Sequence, residues 1–135
     1  KIKDAIISAQ VMTQINPNNS MIFFQLGYLY FSDKDYEKAA ETLGKAVELN
    51  SQYANARYFL GLSLARLNKN NEAIIQFEEI LKTNSENQEI ISIIETLKAG
   101  KPLFNDTKPS TTTKAGTSKT LPVKEKASTN TKTVN

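Results

Sequence analysis

The sequence predicts an all-α protein: a solenoid of stacked antiparallel helix hairpins, closed by a capping helix and followed by a disordered tail. Three observations carry that reading. Alanine recurs at Ala5, Ala39 and Ala73 and asparagine at Asn16, Asn50 and Asn84, so two residue types step along the 135-residue chain at an interval of 34. Leu26-Gly27 returns as Leu60-Gly61, and Ser51 as Ser85, at the same interval. Between these markers apolar residues fall at three- and four-residue spacing, the period of amphipathic helices. A repeat of about 34 residues is one helical hairpin, which cannot bury its apolar face alone and is stabilised by stacking on copies of itself.

The first element is a helix over residues 2–15, with Ile2, Ala5, Ile6, Ala9 and Met12 on one face and Pro17 stopping it soon after Asn16. It reads as the second helix of an incomplete leading unit, residues 1–19. Residues 20–53 form the next unit. Its first helix, 20–32, opens at Ser20 as N-cap and is apolar on most sides through Ile22, Phe23, Phe24, Leu26, Tyr28, Leu29 and Tyr30, as expected of a helix packed on both flanks. Ser32 to Asp35 make the turn, and the helix Tyr36 to Leu49 turns Ala39, Ala40, Leu43, Ala46 and Val47 inward.

Residues 54–87 repeat the plan with a helix from Ala54 to Leu67, a polar turn, and a helix from Asn71 to Lys82 carrying Ala73, Ile74, Phe77, Ile80 and Leu81. Gly27 and Gly61 lack a side chain where the paired helix must approach, and Ala39 and Ala73 are the small residues expected opposite them. Residues 88–100 then read as a capping helix. Ser85-x-x-Gln88 has capping-box spacing, Ile90, Ile91, Ile94 and Leu97 form the apolar stripe, and Gly100 suits the left-handed position that ends a helix. Glu95 stands where the glycine would recur, as suits a wetted outer face. Residues 101–135 hold 9 threonines, 7 lysines, 3 serines and 3 prolines, a composition that cannot offset its ordering entropy and predicts a disordered linker or extension.

Charge divides in the same place. Residues 1–100 carry 10 basic and 12 acidic side chains, a balance of −2, whereas residues 101–135 carry a balance of +5. The tail lysines lack arginine and interleaved aromatics, so they support nonspecific attraction to anions and no specific nucleic-acid recognition. Without His or Cys the usual general base, the usual metal ligands and disulfides are missing. Glu78 and Glu79 are adjacent on a helix and point apart, and the five glycines are too dispersed for a phosphate loop. The expectation is a noncatalytic protein with no cofactor and no metal. The most apolar stretch, Met21 to Phe31, is shorter than the roughly 20 residues of a membrane span. A chain that starts at Lys1, with a leading helix lacking its partner, reads as part of a longer polypeptide, and the open flank of that helix could pair with a second copy.

The repeats resemble the tetratricopeptide repeat family, whose signature runs W-x-x-L-G-x-x-Y, then A-x-x-x-F, then P. Phe23-x-x-Leu26-Gly27-x-x-Tyr30 with Ala39-x-x-x-Leu43 matches the first unit, and Arg57-x-x-Leu60-Gly61-x-x-Leu64 with Ala73-x-x-x-Phe77 the second, with Arg57 and Leu64 in place of two aromatics. Pro17 supplies the closing proline once, and Ser51 and Ser85 replace it later. The segment Leu97-Lys98-Ala99-Gly100-Lys101-Pro102-Leu103 is in addition similar to the tails of some bacterial membrane proteins of the O-antigen ligase type. That likeness implies a soluble appendage tethered to a bacterial membrane, with its activity upstream.

The tetratricopeptide resemblance implies that the first helix of each hairpin lines a concave groove that receives a protein or peptide ligand. Phe23, Leu26, Gly27 and Tyr30 form the packing stripe, so the neighbouring stripe Phe24, Tyr28 and Phe31 faces the groove, with Asn55, Tyr58, Leu62 and Arg66 as its counterparts in the next unit. These seven residues are the candidate partner-binding set. Phe24 and Tyr58 are equally suited to packing between neighbouring hairpins. Tyr28 and Leu62 occupy places where the chaperone-binding members carry asparagine, which argues against capture of a C-terminal carboxylate.

Overall fold

A computed structural model describes residues 1–104 and contains six helices: α1 (Ile2–Ile15), α2 (Ser20–Ser32), α3 (Tyr36–Leu49), α4 (Ala54–Arg66), α5 (Asn70–Leu81) and α6 (Gln88–Lys98). The first three match the sequence reading, and the others differ by one or two residues. The expectation for the tail falls, from residue 105 onward, outside the described residues. The helices lie in one compact unit, Lys1–Leu103. Among the described residues no helix is long and apolar enough to cross a membrane.

Each helix packs on its neighbours in sequence, and α2 also packs on α4. Connections of a few residues force consecutive helices to run antiparallel. The result is the expected all-α solenoid: hairpin α2/α3 stacks on hairpin α4/α5, with α1 before the first and α6 after the second.

The turns within the two hairpins are built alike, 34 residues apart. Lys34 and Asn68 both take left-handed backbone, at φ 65° and φ 63°. The amide of Asp35 donates to the Tyr30 carbonyl at 2.9 Å, and that of Lys69 to the Leu64 carbonyl at 2.8 Å. With the bonds of shorter sequence span from Lys34 to Phe31 (3.0 Å) and from Asn68 to Ala65 (3.0 Å), each turn is a Schellman motif that satisfies the orphan carbonyls of the helix end. Gly100, at φ 71°, closes α6 in the same way, with Lys101 donating to Thr96 at 3.1 Å.

Three local expectations are corrected. The N-cap of α2 is Asn19, whose side chain accepts from the amides of Met21 (3.0 Å) and Ile22 (3.3 Å), while Ser20 is already helical. The N-cap of α6 is Asn87, accepting from Ile90 at 3.1 Å, so the Ser85 to Gln88 capping box does not form. Serine and asparagine both suit an N-cap, and in both places the asparagine takes it. On α6, Ile93 is buried with Ile90, Ile94 and Leu97, whereas Ile91 is half-buried.

The glycines bring the paired helices together, though not against the expected residues. A Cβ on Gly27 would lie 2.5 Å from Cγ of Leu43, and one on Gly61 would lie 2.6 Å from Cζ of Phe77. Large side chains therefore fill the space left by each glycine. Ala39 and Ala73, one turn earlier, are fully buried, as are Leu43, Ala46 and Phe77. Gly27 and Gly61 thus have equivalent surroundings in the two hairpins.

Candidate functional site

The candidate site lies where α2 meets α4. Phe24, Tyr28 and Phe31 leave α2 at helical spacing on a stripe adjacent to the buried Leu26, Gly27 and Tyr30. Facing them is Phe59 of α4, whose ring centroid stands 6.1 Å from Phe24, 5.0 Å from Tyr28 and 5.4 Å from Phe31, the last two edge to face. Such geometry sets the positive ring edge against the negative face. Tyr53, at the start of α4, extends the row by packing on Phe24 at 5.1 Å, and burial raises its phenol pKa above the usual value. At the other end Phe31 meets Tyr36 at 5.4 Å, and the Arg66 guanidinium lies 5.2 Å over the Tyr36 ring. A continuous row therefore runs from Tyr53 through Phe24, Phe59, Phe31 and Tyr36 to Arg66, with Tyr28 beside Phe59 and 44% exposed.

The seven sequence candidates distribute unevenly over this face. Phe24, Tyr28, Phe31 and Arg66 belong to the row; Phe24, Phe31 and Arg66 are half-buried. Asn55 is exposed and Leu62 half-buried, four residues before and three after Phe59 on α4. Tyr58 points away from the row. It is 9% exposed, its ring packs on Phe77 of α5 at 6.1 Å, and its hydroxyl donates to Oε2 of Glu89 on α6 at 3.0 Å. Burial, then the Glu89 charge and hydrogen bond, hold that phenol well above its ordinary pKa. Tyr58 still touches the row through Phe59, edge-on at 5.2 Å.

Phe59, Tyr36 and Tyr53 were not singled out in the sequence. For Phe59 a signal existed: it shares the helical stripe of Asn55, Leu62 and Arg66 at spacings of four, three and seven residues. Strict addition of 34 to Phe24 leads to Tyr58 instead, one residue off the face.

A concavity of about 450 Å³ lies between α1 and α2, lined by Ala5, Ala9, Met12, Phe24, Gln25 and Tyr28 among others. Its walls are predominantly carbon. Among the described residues no group of three or more acidic side chains could hold a metal ion.

Stacked hairpins whose paired helices close over glycines, with aromatic side chains across the first helices, define the tetratricopeptide class of helical-repeat protein. Within it, the chain belongs to the family described as "Anaphase-promoting complex, cyclosome, subunit 3", whose model matches residues 1–80. It is 31% identical over 71 residues to "Anaphase-promoting complex subunit 3" of Schizosaccharomyces pombe, a stretch that covers 53% of this chain and 11% of that protein. The chain thus spans about a tenth of the curated relative's length.

Solved structures agree on the fold. "First TPR of Spaghetti (RPAP3) bound to HSP90 peptide SRMEEVD" is similar at TM-score 0.67 and 24% identity, over 74% of this chain and 81% of that one. MamA is similar at TM-score 0.70 and 24% identity, over 73% and 58%. The second TPR domain of human RPAP3, in complex with the HSP70 peptide SGPTIEEVD, gives TM-score 0.67 and 23% identity, over 73% and 82%. At these identities the likeness is one of fold.

Proposed function

We propose that this chain is a noncatalytic interaction scaffold whose face across α2 and α4 receives a helix or extended segment of another protein. The observation that carries the proposal is the aromatic row from Tyr53 to Arg66, bridging two hairpins and leaving Tyr28 44% exposed beside it. Rigid aromatic side chains offer large contact area at low entropic cost, and arginine adds a directional cation; both residue types commonly anchor partners. Tyr28, Phe31 and Leu62 supply apolar contact, Asn55 supplies a polar rim, and Arg66, oriented over Tyr36, meets an acidic group. Phe24 and Tyr58 act from behind, holding Phe59 in place.

Two solved neighbours carry peptides ending in EEVD, which supports peptide capture by this fold. With Tyr28 and Leu62 where chaperone-binding members carry asparagine, the face suits apolar side chains better than a terminal carboxylate. The matched family and the fission-yeast relative are named as subunits of a complex, which supports a role in assembly. The rival reading, an appendage of a membrane-bound ligase, rests on residues 97–103 alone and concerns a family other than the one matched.

The test is the double variant Tyr28→Ala/Arg66→Ala, with helicity followed by circular dichroism. Partner capture should fall while helicity stays. Unchanged capture by a folded double variant would remove this face from consideration.

A further inference from the structure

On residues that the aromatic row does not use, α3, α4 and α5 enclose a concavity of about 700 Å³. Leu60 and Leu64 of α4, both buried, form its floor, with Leu67 half-buried at the end of that helix. Ile75 of α5 stands in one wall and is 54% exposed, whereas the 34-residue interval places the solvated Glu41 at the equivalent position of the first hairpin. Carboxylates border both walls: Glu37 and Glu41, one turn apart on α3, and Glu72 on α5, all exposed. Among the described residues none of these three forms an ion pair, although other carboxylates at helix joints are matched, Asp33 by Lys3 of α1 and Glu78 of α5 by Lys98 of α6 at 3.5 Å. Glu37 and Glu41, four residues apart on one helix, repel each other. Among the described residues that line the groove, Lys69 is the one cation set against the three.

We infer that this α3/α5 groove seats a basic amphipathic α-helix of another protein, one whose apolar stripe is flanked on both sides by lysine or arginine. The shape follows from the walls. As the second helices of successive hairpins, α3 and α5 run in the same direction over α4, and a trough with two parallel walls and an apolar floor receives a helix lengthwise. The chemistry follows from the lining. Apolar side chains entering the trough cover Ile75 and Leu67, while cations on the two flanks meet Glu37 and Glu41 on one wall and Glu72 on the other. That arrangement has the apolar centre and charged rim of a protein interface. It also relieves the repulsion between Glu37 and Glu41, and the same carboxylates turn away nucleic acid and acidic peptides. No residue is shared with the α2/α4 face, where Arg66 suits an acidic group. The groove therefore adds a second surface for a partner of opposite charge.

The probe is a fluorescein-labelled synthetic helix with leucines on one face and lysines on both flanks, compared with the same peptide carrying glutamate for every lysine. Titrated into the full chain, the lysine peptide should bind one to one by anisotropy, and the glutamate peptide at least about tenfold more weakly. Ile75→Ser, at an exposed position, should weaken the lysine peptide about tenfold through lost apolar burial. The triple variant Glu37→Gln/Glu41→Gln/Glu72→Gln should weaken it by a similar factor of about ten. A control triple, Asp4→Asn/Glu86→Gln/Glu95→Gln, removes the same charge at exposed positions outside the groove and should change binding by less than about twofold. Circular dichroism verifies that each variant keeps its helices. A lysine peptide that does not bind, equal losses in the two triples, or undiminished binding to folded Ile75→Ser would overturn the inference. So would self-association in sedimentation that Ile75→Ser dissolves, since the groove would then belong to a second copy of this chain.

Discussion

In the second hairpin the Phe77 ring fills the space that a Cβ on Gly61 would need, with Cζ 2.6 Å and Cε2 2.7 Å from that point. Phe77 is fully buried and cannot swing aside into solvent. Gly61→Ala should therefore destabilise the chain by about 1–3 kcal/mol through overpacking, even though alanine is the better helix former by about 1 kcal/mol. Shortening the ring with Phe77→Leu in the Gly61→Ala background should recover part of that loss. Urea denaturation of the two single variants and the double variant measures the coupling, and strictly additive effects would show that the two residues are not apposed.

Phe59 joins α2 to α4 through three α2 rings. Truncation to alanine should cost about 2–3 kcal/mol, below the full core value because the ring is only half-buried. Near-ultraviolet circular dichroism should lose aromatic signal while far-ultraviolet helicity persists. A wild-type melting curve for Phe59→Ala would mean that the α2/α4 contact contributes little.

Tyr58 makes stability depend on alkaline pH. Its folded pKa is raised, first by burial and then by Glu89, whereas the unfolded chain gives up the phenol proton near pH 10 as an approximate reference. Stability is therefore fully present below about pH 10 and declines above it, where the unfolded state ionises and the folded state keeps its proton. Tyr58→Phe should be less stable near neutrality by about 1 kcal/mol, from loss of the bond to Glu89, and should show a shallower alkaline decline. Denaturant titrations at neutral and alkaline pH check both signs; an equally steep decline in the variant would contradict the assignment.

Lys34 and Asn68 hold the same left-handed position in successive turns. A lysine is strained there, while asparagine tolerates the conformation. Lys34→Gly should raise stability by about 0.5–1 kcal/mol, and Asn68→Gly should change it by less. The comparison uses melting temperatures of the two variants measured side by side.

The hairpin plan was legible because the 34-residue interval and the helical spacing of apolar residues report backbone geometry directly. Turn and cap details were less so. Asn19 and Ser20 are both good N-caps in adjacent positions, and only backbone conformation separates them. Small residues facing each other are the simpler packing on sequence alone, yet each glycine meets the residue one turn further on, Leu43 rather than Ala39 and Phe77 rather than Ala73. At the candidate face, helical spacing within α2 sets Phe24, Tyr28 and Phe31 on one stripe, and all three rings meet Phe59. The 34-residue interval carries Phe24 to Tyr58, yet the two rings make different contacts. Contacts between rings depend on neighbours distant in sequence, and spacing along one helix does not encode them.

Successive hairpins stack so that α2 and α4 share one aromatic face. Nuclear Overhauser contacts in the isotopically labelled chain test it most directly. The stack predicts cross-peaks from the Phe59 ring to the rings of both Tyr28 and Phe31, whose centroids lie 5.0 Å and 5.4 Å away. A folded, helical chain in which Phe59 shows neither cross-peak would contradict it.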